Sequence, residues 1–115
     1  MSKMIKNITK NTIICKNKKF LTTIISKAIG LMFSKKIKDI GYIFVFDKSQ
    51  RIDLHMFFVF FAIDVIFLNE LKEVIEIKKN FKPFTLYSSK KPIKYFIELP
   101  LKLSDKIKIG DILEF

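Results

Sequence analysis

The sequence has no tryptophan, one cysteine, one histidine, three glycines and three prolines, and among its 22 basic residues only Arg51 is an arginine. Each shortage excludes something. Cys15 has no partner for an internal disulfide, so no covalent staple is available and a reducing compartment, the cytoplasm, is the expected location. A metal site needs three or four His, Cys, Asp or Glu ligands brought together, and no such cluster stands in the sequence, so no metal is expected. Gly30, Gly41 and Gly110 are too scattered for a phosphate-cradling loop, so no nucleotide or other cofactor is expected. Long apolar runs are also missing. The most apolar stretch, residues 56–68, contains Asp64 and falls short of the roughly 20 residues that span a bilayer, so no membrane span is expected. Asn7, Lys10, Asn11 and Lys16 interrupt residues 1–19, so no secretory leader is expected either.

What is present is apolar and basic. Half of the 115 residues are hydrophobic and 13 are phenylalanine, a composition that folds and that fits one domain over residues 1–115, with 1–19 as edge strands or a partly flexible segment. The net charge is +11. Codon bias in an A+T-rich genome yields Lys, Ile, Phe and Asn without selection for a partner, but it does not explain the scarcity of Glu. An anionic partner therefore stays open. The near absence of arginine weighs against a dedicated reader of bases, which uses bidentate guanidinium contacts.

Periodicity predicts the elements. Short β-branched pieces at 5–9 and 12–15 predict one or two exposed strands, and Ile24, Ile25, Ala28 and Ile29 predict a helix capped by Thr22 or Thr23 and stopped at Gly30. Residues 42–46 predict a buried strand and 47–50 a turn. Alternation of Ile52, Leu54 and Met56 with Asp53 and His55 predicts a half-buried strand. Further strands are expected at 63–68, 74–78, 94–99 and 112–115, with a surface loop at 84–91 between Pro83 and Pro92 and a turn or short helix at 101–106. The predicted fold class is α+β: a mainly antiparallel, barrel-like curled sheet packed against one principal helix.

The order of motifs resembles the uncharacterised DUF family number 192, also called uncharacterised protein family 0127. Gly30-Leu31-Met32-Phe33 resembles its Gly-Leu-Met signature, and Gly41 with Ile43-Phe44-Val45-Phe46 resembles its Gly-Met-Leu-Phe-Val-Phe strand. Met56 and Asp64 match the Met of its Trp-Met-Lys-Asn segment and the Asp of its Pro-Leu-Asp-Ile strand. Residues 95–100 and Ile109-Gly110-Asp111 resemble its closing motifs. His55, Phe57 and Phe58 stand where the family has Trp, Lys and Asn, Ala62 replaces Pro, and Ser34 stands where Arg is frequent. A site built on those polar residues therefore does not transfer. The resemblance implies a compact α+β domain and no assigned activity.

The candidate residues each have a bland and a sharp meaning. Cys15 on a lysine-rich strand reads as a free, nonfunctional thiol. His55 with Asp53 and Asp64 is the best polar constellation, more simply an exposed strand histidine than a general base. Asp64, between Ile63 and Val65, must find donors or solvent; turn amides are the simpler answer and a ligand the sharper one. Phe57, Phe58, Phe60 and Phe61 cannot all face one side of a strand, so they predict either a strand covered on both faces or an exposed patch or pocket rim. The expected function is a noncatalytic binding or interaction domain of unknown ligand, with its pocket near Met32, His55, Met56, Phe57, Phe58, Phe60, Phe61 and Asp64. The alternative is a basic accessory protein binding nucleic acid through Lys35, Lys36 and Lys38 converging with Lys90, Lys91 and Lys94. An enzyme, requiring His55 in reach of Asp53, Asp64 or Ser34, ranks third. Oligomeric state is not encoded in any motif.

Overall fold

The computed structural model describes residues 3–22 and 38–115. Within them the chain forms β1 (Ile5–Asn7), β2 (Thr12–Cys15), β3 (Asn17–Leu21), β4 (Ile40–Gln50), β5 (Asp53–His55), β6 (Ile63–Leu68), β7 (Val74–Phe81), β8 (Leu86–Ser88), β9 (Ile93–Pro100), a 3-10 turn (Leu103–Lys106) and β10 (Leu113–Glu114). β-Branched and aromatic residues fill β4, β6 and β9, where their bulk suits a pleated, packed surface. They make the middle of a five-stranded sheet ordered β3-β4-β9-β6-β7. Its pairings are antiparallel except β3 with β4, which run parallel from Asn17 opposite Ile40 to Leu21 opposite Phe44.

Because strand side chains alternate, this sheet has two apolar faces, and each needs a cover. Phe44, Val65, Phe67 and Phe96 point to the first, where Met56 and Val59 from the 56–62 loop pack on them. Phe44 and Phe96 stack with centroids 4.1 Å apart. The two-stranded ribbon of β5 and β8 lies over this face, with Leu54 and Tyr87 packed against the same core. Ile43, Ile66, Ile97 and Leu99 point to the second face, covered by Ile5, Ile14 and Leu113 from a three-stranded sheet, β10-β1-β2, and by Ile107 after the 3-10 turn. Full burial of each such side chain is worth about 2 kcal/mol. Gly41 permits the second cover to approach: a Cβ there would overlap Ile5 Cδ1 and crowd Leu99 and Ile97.

The α+β expectation is corrected by this architecture. Strand is almost the only regular structure of the described residues, and the four-residue 3-10 turn is their one helical element. Nor is there a barrel, since the central sheet stays open with β3 and β7 at opposite edges. Two separate covers bury its two faces, so closure is not required to hide an interior. The principal helix expected at 24–29 lies outside the described residues. Three local expectations also change. β4 continues through the expected turn at 47–50, β8 forms inside the expected loop at 84–91, and residues 57–62 form turns, not a strand.

Candidate functional site

The turns at 57–62 begin where the β5–β8 ribbon ends. Met56 donates its N–H to the Thr85 carbonyl (2.9 Å), and its own carbonyl accepts the N–H groups of Phe84 (2.8 Å) and Val59 (3.3 Å). One buried residue thus ties two loops together. Met56 and Val59 face the core, and Phe61 is half-buried against it. The remaining aromatic side chains go outward: Phe57, Phe58, Phe60 and Phe84 are 42, 46, 63 and 52 % exposed. Phe58 and Phe60 both set a ring edge-on to Phe84, at 6.2 and 5.7 Å, making an apolar knob at the tip of the ribbon. Behind it, Phe57 stacks on His55 at 5.0 Å, and Leu86, opposite His55 in the ribbon, is exposed.

Phe58 and Phe84 both hold φ at 59°, the left-handed region that non-glycine residues avoid. Such a backbone costs on the order of 1 kcal/mol. In a fold stabilised by burial, two strained and half-exposed phenylalanines are an expense that packing does not return.

Asp64 lies apart from this ridge. It is buried, and its two oxygens accept hydrogen bonds from the Asn80 N–H (2.9 Å), the Lys102 N–H (2.9 Å) and the Ser104 hydroxyl (2.6 Å), which fastens the 3-10 turn to β6 and β7. Asp111 plays the corresponding part in the second cover. Asn7 Nδ2 donates to it at 2.7 Å, the Lys108 N–H at 2.9 Å, and Lys10 Nζ sits 3.1 Å away. Burial alone would raise the Asp111 carboxyl, but these donors and the lysine charge together lower it.

His55 Nδ1 accepts the Phe57 N–H at 3.2 Å, while Asp53 is engaged by the Ser88 hydroxyl at 2.6 Å. No hydrogen bond links His55 to Asp53 or Asp64 among the described residues. Cys15 is buried in the second core, and burial, then the Asp39 charge, pushes its thiol up to about 12. No group of three or more His, Cys, Asp or Glu could hold a metal ion among the described residues. The lysine positions also separate. Lys38 precedes the start of β4, whereas Lys90, Lys91 and Lys94 flank Ile93, which pairs with Gln50 at its far end. The paired length of β9, from Ile93 to Pro100, puts roughly 25 Å between them. Met32, Lys35 and Lys36 lie outside the described residues.

Sequence reasoning missed Phe84, Leu86 and Glu98. Phe84 and Leu86 fall in the stretch expected to be a surface loop, and the signal was that such a loop carries bulky apolar residues. Glu98 is 7 % exposed, on the same face of β9 as Phe96 and opposite Tyr42 and Val65. Burial pushes its carboxyl up to about 8. Its alternation with Phe96 was legible in the sequence. Nearby on this face Tyr87 donates its hydroxyl to Glu76, whose other oxygen accepts the Lys90 N–H at 2.9 Å. Burial and that acceptor hold the phenol up at about 12.

Comparison with known proteins gives a family and no activity. A UPF0127 protein of Pyrococcus furiosus is 33 % identical over 111 residues, covering 95 % of each chain. One from Thermococcus sibiricus is 31 % identical over 116 residues, covering 97 % of this chain and 74 % of its own. Among solved structures, a protein of unknown function from Novosphingobium aromaticivorans superposes with a TM-score of 0.85 at 23 % identity, covering 97 % of this chain and 82 % of the other. A putative transcription regulator from Sinorhizobium meliloti gives 0.83 at 18 % identity, covering 96 % and 89 %. At those identities the likeness is one of fold. No helix among the described residues is long and apolar enough to cross a membrane. The family model for DUF192, described as an uncharacterized ACR, matches residues 5–115, and the chain belongs to that family.

Proposed function

We propose that this protein acts by docking, through the aromatic ridge of Phe57, Phe58, Phe60 and Phe84, and not by chemistry on a substrate. The observation that carries this is the exposure of four phenylalanines on two loops that share one buried anchor, the Met56 backbone. Apolar side chains concentrated on one projection, two of them in strained backbone, mark a surface made for contact. The anchor matters because a rigid patch loses little conformational entropy when it is covered. Met56 contributes to the site from beneath, and His55 contributes as the base on which Phe57 stacks. Asp64 has its oxygens engaged by Asn80, Lys102 and Ser104, so the docking surface does not depend on it.

The nucleic-acid alternative gains nothing from the register, which puts Lys38 and the Lys90, Lys91 and Lys94 group at opposite ends of β4. The test of the ridge is bis-ANS fluorescence on the native protein and on the Phe58→Ser, Phe60→Ser double variant. The wild type should bind the dye while folded, and the variant should lose most of the signal at an unchanged melting temperature. Equal signal from both would remove the ridge as the accessible apolar surface.

A further inference from the structure

The partner of this ridge can be narrowed from charge and ring geometry. We infer that the ridge seats in the interface of an anionic lipid bilayer, with the basic residues of the same ribbon lying against the headgroups. This rests on the docking function proposed above and supplies its partner.

The exposed charge of the ribbon and its flanks is mostly positive, the Glu76 carboxylate that meets Tyr87 and the Lys90 N–H being buried beneath it. Residues 82–94 contain Lys82, Lys90, Lys91 and Lys94 and no acid; residues 51–62 contain Arg51 and a single acid, Asp53, held by Ser88. Arg51, Lys82, Lys90 and Lys91 are exposed. Lys82 stands two residues from Phe84, while Arg51, Lys90 and Lys91 lie at the other end of the ribbon, roughly 20 Å from the knob at a strand's rise. Arg51 Nε donates to the Ser89 carbonyl, fixing it beside the lysine pair. The outer face thus runs from an aromatic end to a basic end. Apolar side chains that enter the acyl boundary while cations stay with anionic headgroups are what a bilayer surface accepts.

Ring geometry favours a lipid over a single-stranded nucleic acid. Base stacking needs open ring faces, but Phe58 and Phe60 turn to Phe84 at 71° and 65°, packing edge against face into one knob. Phe57 has one face covered by His55. The cations are almost all lysines, compact charges suited to a dense anionic surface and lacking the fork that reads bases.

The experiment is flotation of the full chain with vesicles of phosphatidylcholine alone and of phosphatidylcholine with phosphatidylglycerol in roughly 3:1 proportion, across a salt series. The wild type should float with the anionic vesicles, weaken as salt rises and stay behind with the neutral ones. The Phe58→Ser, Phe60→Ser variant should lose about tenfold in partitioning, and Lys90→Glu with Lys91→Glu should lose the salt-sensitive part. Absence of flotation at low salt, or flotation untouched by the phenylalanine substitutions, overturns the lipid assignment. Bis-ANS separates the two failures: ridge-dependent dye binding without flotation leaves the docking surface standing with another partner, whereas loss of both removes it as well. Oligonucleotide binding that depends on Phe58 and Phe60, with no flotation, would assign the ridge to single strands instead.

Discussion

The two covers of the central sheet lean on different forces. The three-stranded sheet and 3-10 turn on the second face are fastened by polar groups at their margins: Asp64 joins Asn80, Lys102 and Ser104, and Asp111 joins Asn7, Lys10 and Lys108. On the first face the ribbon and the 56–62 loop hold mainly by aromatic packing, with Glu76 joining Tyr87 and Lys90 as a single polar tie to the sheet. There Glu98 is buried with its carboxyl raised, and four phenylalanines are left at the outer surface. The difference separates what folding requires from what it tolerates. Polar fastening with every buried oxygen engaged is a folding device, whereas strained exposed aromatics and a raised carboxyl are not explained by stability.

Substitutions test that division. Asp64→Ala should do most harm, because it strands two backbone N–H groups and the Ser104 hydroxyl; a loss of about 3–5 kcal/mol is expected in urea unfolding. Gly41→Ala should cost about 1–3 kcal/mol by pushing Ile5 off β4, read from the same denaturation curves. Glu98→Gln tests the other face with the opposite sign. The Glu98 carboxyl is raised from the ordinary 4.5 to about 8, so wild-type stability is fully present below pH 4.5 and declines as pH rises toward 8. The glutamine variant should match the wild type near pH 4 and exceed it at pH 8 by on the order of a few kcal/mol, visible in melting temperatures across that range. Equal slopes would mean that Glu98 finds a charge partner. Smallest is Phe58→Asn, which should leave stability within about 0.5 kcal/mol of wild type or raise it slightly, since asparagine accepts the left-handed backbone. A loss well beyond that would make the ridge part of the core.

How far the sequence spoke varied with the residue. β6 is legible because 63–68 is continuously apolar and buried on both faces, and β9 because its alternation ends at Pro100. The same apolar run that contains β6 misleads at 57–62, since composition does not distinguish a phenylalanine that packs from one that protrudes. What ends the strand there is the left-handed turn at Phe58 and the Met56 carbonyl's acceptance of two amides, neither visible without partners in space. The exposed-patch meaning of Phe57, Phe58 and Phe60 could be posed from their spacing. Its completion by Phe84 could not, because that ring arrives from another loop. Asp64's need for donors followed from its apolar neighbours, but the identity of Asn80, Lys102 and Ser104 depends on tertiary contact. The strands that decide the layers came in pieces too short to predict an open three-layer arrangement.

The pairing of β1 with β10 has a kinetic consequence. Lys6 faces Glu114 and Asn7 faces Leu113, so strands from near the two ends of the sequence lie side by side. Their contact closes a loop of nearly the entire chain, which places this protein among slow, high-contact-order folders. During synthesis the second cover cannot assemble until β10 has left the ribosome, and until then β1 and β2 leave Ile5, Ile14 and Cys15 open to wrong partners. A circular permutant joined across that pair by a short flexible linker should refold faster than the natural order, because its costliest contact becomes local.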